Sequence, residues 1–389
     1  MHALGRLFRR SLTALLCSFT TFGVPPLSAQ EAIDLSGFRD SAHHWYDIHD
    51  GEHVIEPLEG KPKYPAADIV HIADNILLFQ KDNGGWAKNY DMQAVLSPEQ
   101  RAIVLKTKKE TNTTFDNGTT HSQVAYLAEA FRRTNEARYK EGCLRGIDFI
   151  LRAQYANGGW PQFYPEKKGY ARFITFNDGA MIGVMNVLHQ IVRNDEAYRF
   201  IDDMRRRRIR AAFERGIDCI LRCQIVDRDT LTVWCQQHDE QTLKPQSART
   251  FEPAAIGNQE SAEIVEFLMS IDHPTSRIIR SVDAAAAWFE HAMLRGIRID
   301  TVRAPEAAYQ YHTVNFDRIV VSDPAAPPLW PRYTEPGTHR PLFCNRDGKT
   351  VYSLAEVERE RRTGYGWYTD APKRVLVRYA AWKKNLNSR

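Results

Sequence analysis

Apolar residues along this chain fall mostly at helical spacing, and the helical stretches come in a repeating order. In RGIDFILRAQ, Ile147, Ile150 and Leu151 lie at i, i+3 and i+4 with Phe149 beside them, the stripe of a helix that buries one side. Aligning the chain on its glutamines and tryptophans gives three units, HIADNILLFQKDNGGWAKN, RGIDFILRAQYANGGWPQF and RGIDCILRCQIVDRDTLTVWCQQ, in which Trp86, Trp160 and Trp234 stand at equal intervals of 74 residues. A period that long holds two helices and two connections. Each unit opens with an amphipathic helix that halts at Gly or Asp. A second helix follows after a delay: HSQVAYLAEAFRR, with Val124, Leu127, Ala128 and Phe131 on one stripe, then GAMIGVMNVLHQIV, then ESAEIVEFLMSI. RSVDAAAAWFEHAML reads as a fourth opening helix, and strand-like alternation is scarce until VNFDRIVVSD near residue 320. The pattern predicts an all-α architecture, an (α/α) toroid or barrel of antiparallel helix hairpins with long irregular loops on one rim.

Antiparallel hairpins bring every first-helix C-terminus and second-helix N-terminus to the same rim. Segments 83–118, 157–179, 234–260 and about 297–350 therefore gather there, while short turns such as RTNEARYKEG and DHPTS occupy the other. Long loops on one rim of a rigid array are the usual seat of a site. NGGWPQFYP, residues 157–165, is expected to be chiefly a turn whose glycines release the chain from its helix, with Gln162, Phe163 and Tyr164 along one wall of a cleft. Arg205 to Arg208, by contrast, read as a solvated run between helices on the far rim.

Composition bounds the class without naming a partner. A chain of 389 residues, 43% apolar and 26% charged, can bury a large core. At the N-terminus Arg6, Arg9 and Arg10 precede the apolar run Leu12 to Val24 and the small residues Ser28 and Ala29, the order of a signal peptide cleaved near Ala29. That run is shorter than the roughly 20 residues of a membrane span. The reading is a leader over 1–29, one domain over 30–389, a monomer, and a secreted or periplasmic location. Losing three arginines takes the formal charge from +4 to +1, which favours no nucleic acid, and no dinucleotide or P-loop glycine pattern is present. Five cysteines remain after Cys17, namely Cys143, Cys219, Cys223, Cys235 and Cys344; an odd number cannot all pair, so buried thiols are expected.

The shared rim carries TTFDNGTT with Asp116 and Asn117, FITFNDGAM with Asp178, QSARTFEPA with Arg249, and Arg318 and Arg332 further on. Both aspartates stand just ahead of helices, where capping is a common duty. Two carboxylates and an adjacent amide also suit Ca²⁺, which takes six to eight oxygens, and a carboxylate pair equally suits the acid and base of a glycoside hydrolase. Several arginines on one rim point to a substrate bearing carboxylates or phosphates, because guanidinium binds these bidentately. Trp160 and Tyr164 are candidate sugar-stacking platforms, with packing of the turn as the alternative for the tryptophan.

Taken together, NGGWPQFYP, TTFDNGTT, YARFITFNDGAM, WCQQHDEQTLKPQSARTFEP and RPLFCNRDG resemble polysaccharide lyase family 10, the pectate lyases with an (α/α) toroid fold, over roughly residues 60 to 355. The resemblance implies an exported, calcium-dependent pectate lyase that cleaves α-1,4-linked polygalacturonate by β-elimination. It assigns Arg249 as the base for the C5 proton, Asp116, Asn117 and Asp178 to Ca²⁺ and the uronate carboxylate, and Arg332 and Arg318 to substrate carboxylates; Trp160, Gln162 and Tyr164 join them as substrate-binding candidates from their place in the 157–165 turn. Phe251 stands where the family usually has Tyr in its Ala-Arg-x-Tyr-Glu motif. An arginine base requires a lowered pKa, expected here from crowding by Ca²⁺ and neighbouring arginines. A toroidal glycoside hydrolase using Asp116 and Asp178, and a uronate-binding protein without turnover, are the rival readings.

Overall fold

Among the residues described by the computed structural model, 31–48, 53–165 and 168–387, eleven α-helices are present. They are α1 (Arg39–Asp47), α2 (Ile69–Phe79), α3 (Pro98–Lys106), α4 (His121–Thr134), α5 (Ala137–Ala153), α6 (Ala180–Val192), α7 (Asp203–Cys223), α8 (Asn258–Met269), α9 (Ser276–His291), α10 (Arg359–Gly364) and α11 (Ala371–Asn387). The expected leader lies outside the described residues. The opening helices of the repeat are α2, α5, α7 and α9, which pack in that order as one row; α4, α6, α8 and α11 form a second row against it. The fold is thus a two-layered helical array.

The repeat carries Gln and Trp because both side chains are fasteners. Gln80 donates its amide to Gly84 O and Gly142 O, Gln154 to Gly158 O and Ala212 O, and Gln224 to Thr232 O and Ser281 O. Each glutamine so ties its own turn to the next opening helix. Each tryptophan is fully buried and donates its indole N–H back to its own helix, Trp86 to Ile76 O, Trp160 to Ile150 O and Trp234 to Ile220 O, at 2.7–2.9 Å. A fourth fastener, Trp330 to Phe289 O at 2.6 Å, completes the α9 unit. The turn glycines are needed for contact: Gly84 and Gly158 have φ of 94° and 96°, and a Cβ there would sit 2.4 Å and 2.0 Å from the carbonyls of Arg145 and Arg215.

The structure corrects three expectations. Segment 297–350 is not irregular: Ile297–Ala308 and Thr313–Ser322 form an antiparallel hairpin, bulged between Arg303 and Ala307. A four-stranded sheet follows in the order Thr350–Val351, Pro341–Cys344, Tyr333–Thr334, Ile256–Gly257. The helical fold therefore carries a β appendage with its own small core around Phe251, Tyr333, Phe343 and Trp367. Loop 83–118 holds α3, whose start is a Ser97/Gln100 capping box. Arg205 to Arg208 fall inside α7 rather than between helices; Arg205 pairs with Asp148 at 3.0 Å and Arg206 donates to Ile191 O, leaving only Arg207 and Arg208 exposed. The five cysteines are free and buried, and no helix of the described residues is long and apolar enough to cross a membrane.

Candidate active site

The NGGW turns of neighbouring units hold the Asp116 loop between them. Thr114 N donates to Trp86 O, while Phe115 N and the Thr114 hydroxyl both donate to Gln162 O. Asn117 and Asp178 occupy the left-handed region, with φ of 51° and 50°, each followed by glycine also at positive φ. Asn and Asp tolerate that region better than other non-glycine residues, which lets both turns aim their side chains into one cavity. Neither aspartate caps a helix: the N-cap positions of α4 and α6 are Thr120 and Gly179, without side-chain cap bonds.

Asp116, Asn117, Asp178, Gln162, Arg249 and Arg332 line one cavity of about 180 Å³. Arg318 lines a larger neighbouring cavity of about 700 Å³, which shares His44, Lys88, Tyr170, Arg249 and Tyr365 with the first, and it donates to Tyr365 O at 3.1 Å. Trp160 is placed elsewhere: it is fully buried as a fastener, so it presents no face to a sugar. Tyr164 is half-buried, packs edge-on against Phe149 and lines neither cavity.

The charges in the small cavity are paired unevenly. Asp116 accepts from Lys88 at 2.8 Å through Oδ2, whereas its Oδ1 is buried without a hydrogen-bond partner. Burial pushes Asp116 up, but Lys88, Gln162 and Arg249 together bring it below the ordinary carboxylate value. Asp178 goes the other way: it is pushed well up by desolvation and by the charges of Asp116 and Asp40, against the pull of Arg332 and Arg249. Arg332 is buried, donating through Nη2 to Glu260 at 2.5 Å and to Asn177 Oδ1 at 3.0 Å. Arg249 donates to Glu252 through Nε at 2.9 Å and through Nη2, and Glu252 also accepts from the Tyr365 hydroxyl at 2.9 Å. Burial disfavours the Arg249 charge, yet Glu252 outweighs it, so the protein's own groups raise the Arg249 pKa.

The profile of the family described as pectic acid lyase matches residues 80–376. The chain belongs to the pectic acid lyase family. It is a lyase acting on polysaccharides. Two similar solved structures share its helical fold. One is a mutant of the family 10 polysaccharide lyase from Cellvibrio cellulosa in complex with trigalaturonic acid, at 29% identity and TM-score 0.66, covering 79% of this chain and 90% of that one. The other is a family 10 polysaccharide lyase from Cellvibrio cellulosa, at 28% identity and TM-score 0.68, covering 90% and 98%. Among curated proteins none matches significantly.

This lyase has cavity residues that sequence reasoning passed over: Asp40, His44, Lys88, Tyr170, Gln237, Glu252 and Tyr365. A signal for Lys88 was present in the repeat. The residue two places after each fastener tryptophan is Lys88, Gln162, Gln236 and Arg332, and three of these four line the cavity. The fourth, Gln236, accepts from Tyr333 and presents its carbonyl to the backbone of Phe176 and Asn177. No such signal exists for Tyr365, which is brought in by the β appendage. Phe251 is buried and faces three guanidinium groups, those of Arg249, Arg346 and Arg361, at 4.5–5.3 Å from its ring.

Proposed function

We propose that this lyase is an exported, calcium-dependent pectate lyase that cleaves polygalacturonate by β-elimination, with a leader over 1–29, a single monomeric catalytic domain over 30–389, and an array closed as an (α/α) toroid. One observation carries the reading: two aspartates, an asparagine, a glutamine and two arginines from separate units of the repeat face one small cavity. Those are the groups a uronate unit and a hard cation require.

The donor set fits Ca²⁺. Asp116 Oδ1 is an orphaned buried oxygen, and Asn117 gives its amide N–H to Asn89 Oδ1, turning its own oxygen the other way. Counting Glu260 behind Arg332, five carboxylates (Asp40, Asp116, Asp178, Glu252, Glu260) meet three cations (Lys88, Arg249, Arg332), a surplus of two negative charges when all are ionised. Asp116, Asn117 and Asp178 would hold the ion. Among the described residues no group of three or more His, Cys, Asp or Glu side chains could hold a metal ion by itself, so Asn117 and water would supply the remaining oxygens. Bound calcium would neutralise the uronate carboxylate as a Lewis acid.

Within that frame Arg332 and Arg318 orient carboxylates of the chain, and Gln162 borders the sugar. Arg249, as the neutral guanidine, takes the C5 proton; the C–H electron pair becomes the C4–C5 double bond, the C4–O4 bond breaks, and O4 leaves as a hydroxyl with a proton from solvent. Its pairing with Glu252 keeps Arg249 charged at rest, so the rate should climb into the alkaline range. Incubation with polygalacturonate tests the reading: ultraviolet absorbance of an unsaturated uronide should grow, stop with EDTA and return with added Ca²⁺. New reducing ends without that absorbance, indifferent to chelator, would support the hydrolase instead.

A further inference from the structure

The cavity has a wall that precedes the family-matched segment. Helix α1, ahead of residue 80, places Asp40 and His44 one turn apart against the cavity that holds Asp116 and Asp178. It is fastened there: the Ser41 hydroxyl donates to Asn117 O at 2.9 Å and meets the Thr119 hydroxyl at 3.1 Å, and Ser122 donates to Gly37 O at 3.2 Å. The approach is close, since a Cβ on Gly118 would lie 2.1 Å from Gly37 O. Asp40 faces the cavity without a hydrogen bond or ion pair to any described residue, and its charge acts on both Asp116 and Asp178. The orphaned Asp116 Oδ1 lies in the same cavity.

We propose that Asp40 is a further residue of the divalent-cation site, acting on a bound Ca²⁺ through its charge and an intervening water, with Ser41 fixing its helix to the Asp116–Asn117 loop. The inference rests on the calcium reading above. It follows from charge: Lys88 already neutralises one of the cavity's carboxylates, so Asp116 and Asp178 alone leave one net negative charge for a doubly charged ion, and Asp40 supplies the second. Calcium affinity rises with the number of carboxylates around the ion, so removing Asp40 should weaken binding about tenfold.

Calorimetric titration with Ca²⁺ alone separates the outcomes. The wild-type chain should bind, Asp116→Asn should lose binding, and Asp40→Asn should weaken it about tenfold with the far-ultraviolet dichroism unchanged. Asp47→Asn makes the same charge change on the same helix outside the small cavity and should leave affinity as in the wild type. If the wild type does not bind, the calcium reading fails and this inference with it. If Asp116→Asn loses binding while Asp40→Asn stays within twofold of wild type, or Asp47→Asn weakens it equally, the inference alone is overturned.

Discussion

Replacing Glu252 by Gln is the most informative single change, because it asks whether Arg249 moves a proton or only supplies charge. Glu252 is buried at 2% side-chain exposure, while the Arg249 side chain is 47% exposed. A unit-charge pair near 4 Å is worth about 4 kcal/mol at an effective dielectric of 20. Water on the arginine side screens it, and about 1.5 kcal/mol is a reasonable remainder. At about 1.4 kcal/mol per pH unit, the Arg249 pKa should fall by about one unit. The amide preserves the side-chain shape, so the measurement is kcat against pH on polygalacturonate under saturating Ca²⁺. If Arg249 is the base, the alkaline limb moves about one unit toward neutrality. Tyr365→Phe removes a hydrogen bond that competes for the Glu252 charge and should move the limb the other way. An alkaline limb that stays in place while kcat falls would refute the reasoning and leave Arg249 as a fixed positive charge.

Two other outcomes follow from burial. Trp160→Ala should lower unfolding free energy by about 3–5 kcal/mol in urea titrations, whereas Gln162→Ala should raise KM with little change in melting temperature. His238 is fully buried, accepts from Cys235 N at 3.1 Å, has its other ring nitrogen 2.8 Å from Leu243 O, and its pKa is depressed by burial to about 4. A depressed histidine stabilises the fold fully above its unfolded value near 6.5, and that stability is lost as pH falls through the interval down to about 4, by up to about 3 kcal/mol. Urea unfolding between pH 7 and 4 measures it, and His238→Gln should flatten the slope.

Much of the candidate site was legible because the repeat makes position meaningful. Asp116, Asp178, Gln162 and Arg249 all fall in loops that helical periodicity sends to one rim, and they do meet in one cavity. Trp160 is turned inward for a reason composition cannot reveal: an aromatic in a turn faces a sugar or the core according to what lies beneath it. For Trp160, the carbonyl of Ile150 and the surface of Gly216 lie there.

Helix order, the two-row packing and the buried thiols were determined by the sequence itself, since each follows from spacing within a few turns of chain. Pairing across long distances was decided by the tertiary structure alone. Glu260 takes Arg332, α1 brings Asp40 to the cavity of Asp116, and the β appendage delivers Tyr365 to Glu252, whereas the Glu252–Arg249 clamp spans only three residues. Periodicity is a local property that reports which side of an element is buried. A pKa depends on every charge within a few ångströms, and those neighbours are brought together only when the whole array packs.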